Sequence, residues 1–255
     1  MEQSQIGRKK FIQTAALGAA LSTGIPELVN QAFGADKPGK IKLDRGEVIL
    51  FQGDSVTDSG RQRDNLQANS AQAMGGGYAL MAGGQLLQRA ASKNLQIYNR
   101  GISGNKVFEL AARWETDCIQ LKPGILSILV GVNDFWHTLS SGYKGTIETY
   151  KGDYRKLIDR TLQQLPNLKL IIGEPYGVSG IKAVDNRWYP EFNAYREAAA
   201  SLASEYKAVF IPYQKIYDMA LQLAPGVYWT ADGVHPSMAG CGLMAQAWLE
   251  TIQFQ

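Results

Sequence analysis

The sequence predicts an α/β protein, a three-layer α/β/α sandwich around a five-stranded parallel sheet. Five short and almost uninterrupted apolar runs are typical of strands that are buried on both faces. Longer segments with helical spacing separate these runs, which favours parallel strands joined by right-handed helical crossovers. The predicted strands are residues 48–51, 95–98, 125–130, 168–172 and 208–211.

The predicted helices fall between and after these strands. Their apolar residues recur every three to four positions, and Pro166 ends the longest of them. The predicted helices are residues 78–91, 107–119, 147–165, 190–206, 216–223 and 237–252. Because no repeat or low-complexity linker follows residue 46, we predict a single domain over residues 35–255.

The composition excludes several classes of protein. The chain has 255 residues, of which 45% are apolar and 19% are charged, as in ordinary globular domains. Its net charge of +3 does not indicate a nucleic-acid binder, and no apolar run is long enough to span a membrane, so we expect no stable membrane insertion. Two histidines and two cysteines, Cys118 and Cys241, leave little room for a metal site, and we expect no cofactor. We expect both thiols to be buried rather than paired.

Residues 1–34 are predicted to be a signal peptide. A basic cluster (Arg8-Lys9-Lys10) precedes an apolar run, and small residues follow, so that Ala32 and Gly34 fit a cleavage site after Gly34. The cluster also resembles a twin-arginine signal with lysine in place of the second arginine. Export to the periplasm or the extracellular space is therefore expected; an N-terminal arm is the alternative.

Chemically useful residues follow the predicted strands. Ser55 comes directly after the first strand, and Gly53 permits a tight turn before it. The second strand leads to a loop containing Gly104, the third leads to Asn133, and a segment from Asp232 precedes the last helix. In parallel sheets, ligands bind at the carboxyl ends of the strands, so these segments mark the predicted site.

These four blocks resemble the SGNH subgroup of the GDSL hydrolases. The serine block reads Gly-Asp-Ser-Val, and the closing motif reads Asp232-Gly-Val-His235. The resemblance implies a flavodoxin-like SGNH hydrolase fold. The stretch from Gly53 to Arg61 is similar to that of exported bacterial esterases described as acetylesterases or as lysophospholipase-like.

The predicted catalytic residues are Ser55, Asp232 and His235. A serine hydroxyl is a weak nucleophile until a base removes its proton, and the imidazole of His235 is the plausible base. Asp232 lies three residues earlier, which would let its carboxylate reach Nδ1 of that imidazole. The resemblance assigns the oxyanion hole to the N–H groups of Ser55 and Gly104 and to the Asn133 amide.

The substrate is less sharply indicated than the reaction. Trp136, His137, Tyr176 and Trp229 lie on predicted loops at the carboxyl edge, where they could contact a sugar or could simply pack beneath the loops. We expect removal of acetyl or other short acyl groups from carbohydrate or small esters. A lysophospholipase or thioesterase is the alternative, and a non-catalytic carbohydrate-binding protein is the alternative from another class.

A flavin or nucleotide site is disfavoured by the loop after the first strand. The stretch from Gly53 to Gly60 contains acidic residues where a phosphate-binding loop would be rich in glycine. The expected partner is therefore a small or polysaccharide ester. The oligomeric state is not indicated.

Overall fold

A parallel five-stranded sheet forms the centre of the computed structural model, which describes residues 24–34 and 39–254. Its strand order is β3-β2-β4-β5-β6, and all neighbouring strands run parallel. A separate pair of short strands, β1 and β7, joins the two ends of the domain. The strands are β1 Ile41–Lys42, β2 Val48–Gly53, β3 Gln96–Asn99, β4 Ile125–Leu129, β5 Lys169–Gly173, β6 Val209–Ile211 and β7 Ile252–Gln253. The predicted five-stranded parallel sheet is confirmed.

Helices cover both faces of this sheet. One group contains α1, α4, α10 and α12, and the other contains α5, α8 and α9; helices within a group contact one another. The helices are α1 Ile25–Phe33, α2 Ser55–Asp58, α3 Ala71–Met74, α4 Tyr78–Arg89, α5 Val107–Ala112, α6 Trp114–Asp117, α7 Val132–Ser140, α8 Ile147–Gln164, α9 Asn193–Glu205, α10 Tyr213–Ala220, α11 Gly226–Trp229 and α12 Met238–Leu249. The predicted three layers are therefore present.

The strand order creates a crevice at β2. From β2 the chain moves outward to β3 and then crosses to β4 on the other side of β2. At such a switch point the loops that follow the neighbouring strands diverge, which leaves an open crevice at their carboxyl ends. Ser55 follows β2 at this crevice, and the loops after β3 and β4 flank it.

One predicted helix is divided, and one helix of nine residues was not predicted. The helix predicted over residues 107–119 is divided at Arg113, whose side chain reaches back to the Arg100 carbonyl and the Asn105 side chain. Beyond the break, Trp114 is fully buried and donates a hydrogen bond to Thr161. Helix α7 was not predicted: its positions were expected to form a loop, although Val132, Phe135, Trp136 and Leu139 have helical spacing.

Part of the predicted signal peptide is helical and packs on the domain. Residues 1–23 and 35–38 lie outside the described residues, but α1 contacts α10 and α12. Leu28, Val29 and Ala32 of this helix are buried. Cleavage after Gly34 would remove these contacts, and it stays a prediction.

Candidate active site

Ser55 lies at the carboxyl end of β2, where a sharp turn passes directly into helix α2. Gly53 adopts a φ of 155°, and a Cβ at this position would approach the Leu129 carbonyl oxygen to 2.2 Å. Glycine is therefore required in this turn. The Asp54 carboxylate accepts a hydrogen bond from the Val56 N–H at 3.0 Å, which caps α2 and holds the serine between them.

Ser55, His235 and Asp232 form one chain of hydrogen bonds. The Ser55 Oγ lies 2.8 Å from His235 Nε2, and His235 Nδ1 lies 2.7 Å from Asp232 Oδ2. Asp232 Oδ1 also accepts hydrogen bonds from the backbone N–H groups of Val234 and His235, at 2.9 and 2.8 Å. The structure thus brings Ser55 to Asp232 and His235, although Ser55 and His235 are 180 positions apart, and the backbone of the turn from Asp232 to His235 holds the carboxylate in place.

The hydrogen-bond partners determine which nitrogen of His235 carries the proton. An ionised carboxylate only accepts, so Nδ1 donates to Asp232 and Nε2 is left to accept from the Ser55 hydroxyl. Burial alone would raise the pKa of Asp232, but hydrogen bonds from His235 and Val234 outweigh burial and hold this pKa below its ordinary value. The ionised carboxylate can therefore orient the imidazole and stabilise an imidazolium.

The two further residues predicted for the oxyanion hole lie on either side of β2. Gly104 is on the loop after β3, and Asn133 is in the first turn of α7, after β4. The Asn133 Nδ2 donates a hydrogen bond to the Asn105 carbonyl at 3.2 Å, which joins the two segments. Gly104 has a φ of 84°, and a Cβ there would meet no atom within 4 Å. Backbone conformation, rather than lack of space, therefore favours glycine here.

The four side chains predicted to contact substrate divide into two pairs. Trp136 and His137 are half-buried on α7, and the Trp136 ring lies 6.3 Å from the His235 ring. Tyr176 and Trp229 are core residues, 2% and 5% exposed, whose polar atoms donate to backbone carbonyls. Tyr176 and Trp229 thus pack beneath the loops, which is one of the two possibilities that the sequence left open, whereas contact of Trp136 and His137 with substrate stays a prediction.

Asp58 is a buried carboxylate in the last position of helix α2. It is 2% exposed, and its Oδ2 accepts from the N–H and the hydroxyl of Ser103, at 2.8 and 2.7 Å. Arg63 pairs with the same oxygen, and the Arg61 Nε donates to the Gly101 carbonyl at 2.8 Å. These contacts anchor the loop after β3, and the only sequence signal for them is the position of Asp58 three residues after the serine.

Two further carboxyl groups beside the site are almost completely buried. Burial raises the pKa of both Asp54 and Asp134 to about 7. Asp134 Oδ1 accepts a hydrogen bond from the Val107 N–H at 3.2 Å. Both groups therefore change charge near neutral pH, unlike an ordinary aspartate.

The cysteines do not belong to the site. Cys118 and Cys241 are buried and unpaired, as expected from the sequence. Burial raises the pKa of both thiols, which keeps them protonated at neutral pH. Within residues 24–34 and 39–254, no group of three histidine, cysteine or acidic side chains is arranged to hold a metal ion.

Comparison with known proteins identifies the family. The model of the GDSL-like lipase/acylhydrolase family matches residues 51–243, a span that includes Ser55, Gly104, Asn133, Asp232 and His235. The chain belongs to this family. This GDSL-family chain has, in its described residues, no helix that is both long enough and apolar enough to cross a membrane.

Similar proteins extend over nearly the whole domain. An acetylxylan esterase from Geobacillus stearothermophilus is 32% identical over 217 residues, which cover 84% of this chain and 98% of the relative. A crystal structure described as a GDSL-like lipase from Parabacteroides merdae is 47% identical, covers 85% of this chain and 100% of that chain, and has a TM-score of 0.83. The crystal structure of the Geobacillus esterase is 31% identical, covers 84% of this chain and 98% of that chain, and has a TM-score of 0.75.

Variants of the Geobacillus esterase have also been solved. Three are described as catalytic mutants, in which a serine, an aspartate and a histidine are each replaced by alanine. In that protein the aspartate and the histidine are three positions apart. Family membership and these relatives identify the present chain as a carboxylic ester hydrolase.

Proposed function

We propose that this ester hydrolase removes acetyl groups from carbohydrate through an acyl-enzyme formed on Ser55. The observation that carries the proposal is the hydrogen-bonded chain from Ser55 through His235 to Asp232, with distances of 2.8 and 2.7 Å. The same three residue types, with the same spacing of aspartate and histidine, are replaced in the catalytic mutants of the Geobacillus esterase. That relative's description as an acetylxylan esterase supports an acetylated sugar as substrate.

Hydrolysis proceeds in two acyl transfers. His235 Nε2 takes the proton of the Ser55 hydroxyl as Oγ attacks the ester carbonyl carbon, and then gives that proton to the departing sugar oxygen. The acetyl group stays on Oγ until a water molecule attacks it, with the same nitrogen accepting the water's proton. The bond from the carbonyl carbon to Oγ then breaks as Oγ takes this proton from His235, and the product leaves as acetic acid, which ionises to acetate in water.

The tetrahedral intermediates of both transfers carry a negative oxygen. The proposed donors to this oxygen are the N–H groups of Ser55 and Gly104 and the side-chain amide of Asn133. Each such donor contributes about 3–4 kcal/mol of transition-state stabilisation in serine hydrolases. The link from Asn133 to the Asn105 carbonyl supports this role, because it orients the amide toward the loop of Gly104.

Export to the periplasm or the extracellular space is a further part of the proposal. It is supported by the order of basic, apolar and small residues within positions 1–34. A polysaccharide cannot enter a cell intact, so an exported enzyme is suited to such a substrate.

Replacement of the nucleophile tests the proposed reaction. Ser55→Ala should lower kcat by about 10⁴-fold or more, both for acetate release from acetylated xylooligosaccharides and for p-nitrophenyl acetate, because no acyl-serine can form. Circular dichroism would check the fold, and Ser201→Ala, an exposed serine on α9, is the matched control.

Two results would contradict the proposal. An unchanged kcat in Ser55→Ala excludes the acyl-serine. A wild-type enzyme that prefers p-nitrophenyl octanoate to the acetate, or that binds acetylated oligosaccharides without hydrolysing them, favours the lysophospholipase or the non-catalytic binding protein instead.

A further inference from the structure

One face of helix α7 carries three residues at or near the site. Asn133, Trp136 and His137 are related by spacings of three and four residues, and such positions lie side by side on a helix. The Trp136 ring lies against the ring of His235, with 6.3 Å between centroids. His137 therefore lies about one helical turn, roughly 5.4 Å, beyond the oxyanion donor, at the edge of the catalytic crevice.

The contact with Lys106 determines which nitrogen of the His137 ring carries the proton. The Lys106 Nζ lies 3.3 Å from His137 Nδ1. An ammonium group has only donors, so Nδ1 must accept and the ring proton must be on Nε2. No hydrogen bond of Nε2 is formed within the described part of the chain, and His137 is half-buried, so this N–H is accessible to a ligand.

Lys106 is itself held in place. It is 8% exposed, and its Nζ pairs with Glu109 at 2.7 Å. The same ammonium lies over the rings of Phe108 and Tyr143, 5.3 and 5.2 Å from their centroids. A cation that is fixed by a carboxylate and two aromatic faces maintains its contact with the imidazole.

These surroundings keep His137 neutral. Burial and the Lys106 charge lower its pKa, and the Glu109 carboxylate opposes them only in part. The charged groups that face the ring are Lys106 and Glu109 from the start of α5, and the Tyr143 phenol lies across the same ammonium. A neutral imidazole with a fixed N–H suits an uncharged hydroxyl oxygen.

We propose that His137 Nε2–H donates a hydrogen bond to a hydroxyl oxygen of the sugar that bears the ester, and that Lys106 is the positioning residue that fixes this donor. Trp136, next to His137, supplies an apolar surface for the same sugar ring. This inference rests on the proposed function, because it assumes a carbohydrate ester. Helix α7 would then supply both a donor to the transition state, Asn133, and a donor that selects the sugar, His137.

Substitutions of His137 test the donor. His137→Leu should lower the ratio of kcat/KM for acetylated xylooligosaccharides to that for p-nitrophenyl acetate by about tenfold, mainly through KM, since one hydrogen bond to the sugar is lost. His137→Gln should restore most of the ratio, because the glutamine amide places an N–H near the position of Nε2. Ser140→Ala, at an exposed position of the same helix, is the control.

Nuclear magnetic resonance tests the tautomer directly. The chain contains two histidines, so the ¹⁵N signals of His137 can be assigned with the His137→Gln variant. We expect a proton on Nε2 alone across neutral pH. In Lys106→Met, which keeps the aliphatic chain, the pKa of His137 should rise and both tautomers should appear; Lys144→Met, at an exposed position, should change neither.

The outcomes separate this inference from the proposed function. If wild type hydrolyses acetylated oligosaccharides but His137→Leu keeps the wild-type ratio, the sugar contact is excluded and the esterase proposal stands. A proton on Nδ1 excludes the role of Lys106. If wild type hydrolyses p-nitrophenyl acetate but no acetylated oligosaccharide, both the carbohydrate substrate and this inference are overturned.

Discussion

Asp58 illustrates how a single buried carboxylate can influence a reaction that it does not touch. Its Oδ2 holds both the N–H and the hydroxyl of Ser103, the residue before Gly104. Burial alone would raise the pKa of Asp58, but hydrogen bonds from Arg63 and Ser103 outweigh burial and lower it. The ionised group thus links helix α2, which begins at the proposed nucleophile Ser55, to the loop of a proposed oxyanion donor.

Removing this charge should affect kcat more than KM. Asp58→Asn keeps the shape of the side chain but weakens its hold on Ser103, so we expect kcat to fall about tenfold with KM within roughly twofold. Steady-state kinetics per titrated active site would measure this, with Asp64→Asn, an exposed carboxylate nearby, as control. A variant with normal kcat per active site and only a lower melting temperature would assign Asp58 a purely structural role.

Some residues of the candidate site could be named from the sequence, and others could not. Ser55, Asp232 and His235 could be named because they lie in short motifs at predicted strand or helix ends, although their catalytic roles stay predictions. Tyr176 seemed available to substrate because loop position was the only clue, and burial depends on packing that the sequence does not display. Lys106 was missed because its partner His137 is 31 positions away.

At the level of the elements, helix α1 lies within the predicted signal peptide but packs on the domain, so its removal should affect stability. Its buried residues include Leu28 and Val29, which are 4% and 0% exposed. A chain that begins at Ala35 should therefore be less stable than one that begins at Gly24. Burial of these side chains stabilises the domain, and the entropy lost on ordering the helix opposes part of that gain. We expect the free energy of unfolding of the two chains to differ by about 1–2 kcal/mol, or roughly 2–8 °C in melting temperature.

Scanning calorimetry of the two chains would measure this difference, and the intact mass of the exported protein would show which chain is produced. Equal melting temperatures would mean that α1 adds no net stability to the domain. A mass that corresponds to a start at Ala35 would support the predicted cleavage after Gly34.

Elements with a regular apolar pattern were predicted well, and those governed by distant contacts were not. Strand β4 is buried at every position, and its apolar run, interrupted only by Ser127, predicted it. Helix α7 is an exception, because its apolar residues recur at helical spacing although its positions were expected to form a loop after the third predicted strand. The break at Arg113 follows contacts with a loop eight to thirteen positions away, which periodicity does not register.

For the molecule as a whole, the buried carboxyl groups make stability depend on pH. The pKa of Asp134 is about 7 in the folded chain and 3.8 for an ordinary aspartate. Between these values the folded chain binds a proton that the unfolded chain has released, so the contribution of Asp134 to the free energy of unfolding decreases as pH rises from about 4 to 7. Burial also raises the pKa of Asp54 to about 7, so the contribution of Asp54 to the free energy of unfolding decreases over the same pH range.

Asp134→Asn should therefore stabilise the protein more at high pH than at low pH. The amide keeps an oxygen for the Val107 N–H but cannot ionise, so we expect its melting temperature to exceed that of wild type by roughly 5 °C at pH 8 and by much less at pH 4.5. Thermal unfolding at both pH values would measure this, with Asp64→Asn as the exposed control. A difference that did not change with pH would show that Asp134 does not titrate in this range.

The architecture of the whole chain was predicted more fully than its connectivity. Alternation of apolar runs and helical segments predicted the layers and the five strands of the central sheet, and both are confirmed, whereas the pair β1 and β7 was not predicted. Periodicity by itself does not give the order β3-β2-β4-β5-β6, because which strands pair depends on contacts between distant segments. That order places β2 at the switch point, and hence Ser55 in the crevice.

The hydrogen-bonded residues Ser55, His235 and Asp232 come from two distant parts of the sequence. Asp232 and His235 are held to each other within one turn, whereas Ser55 arrives from a strand 180 positions earlier. On heating, the local pair can persist in partly opened molecules, but the contact with the serine needs the C-terminal segment seated on an assembled sheet. Enzyme activity would then depend on the C-terminal segment being packed on the sheet. We therefore expect activity to be lost at a lower temperature than the spectroscopic signals of the strands and helices.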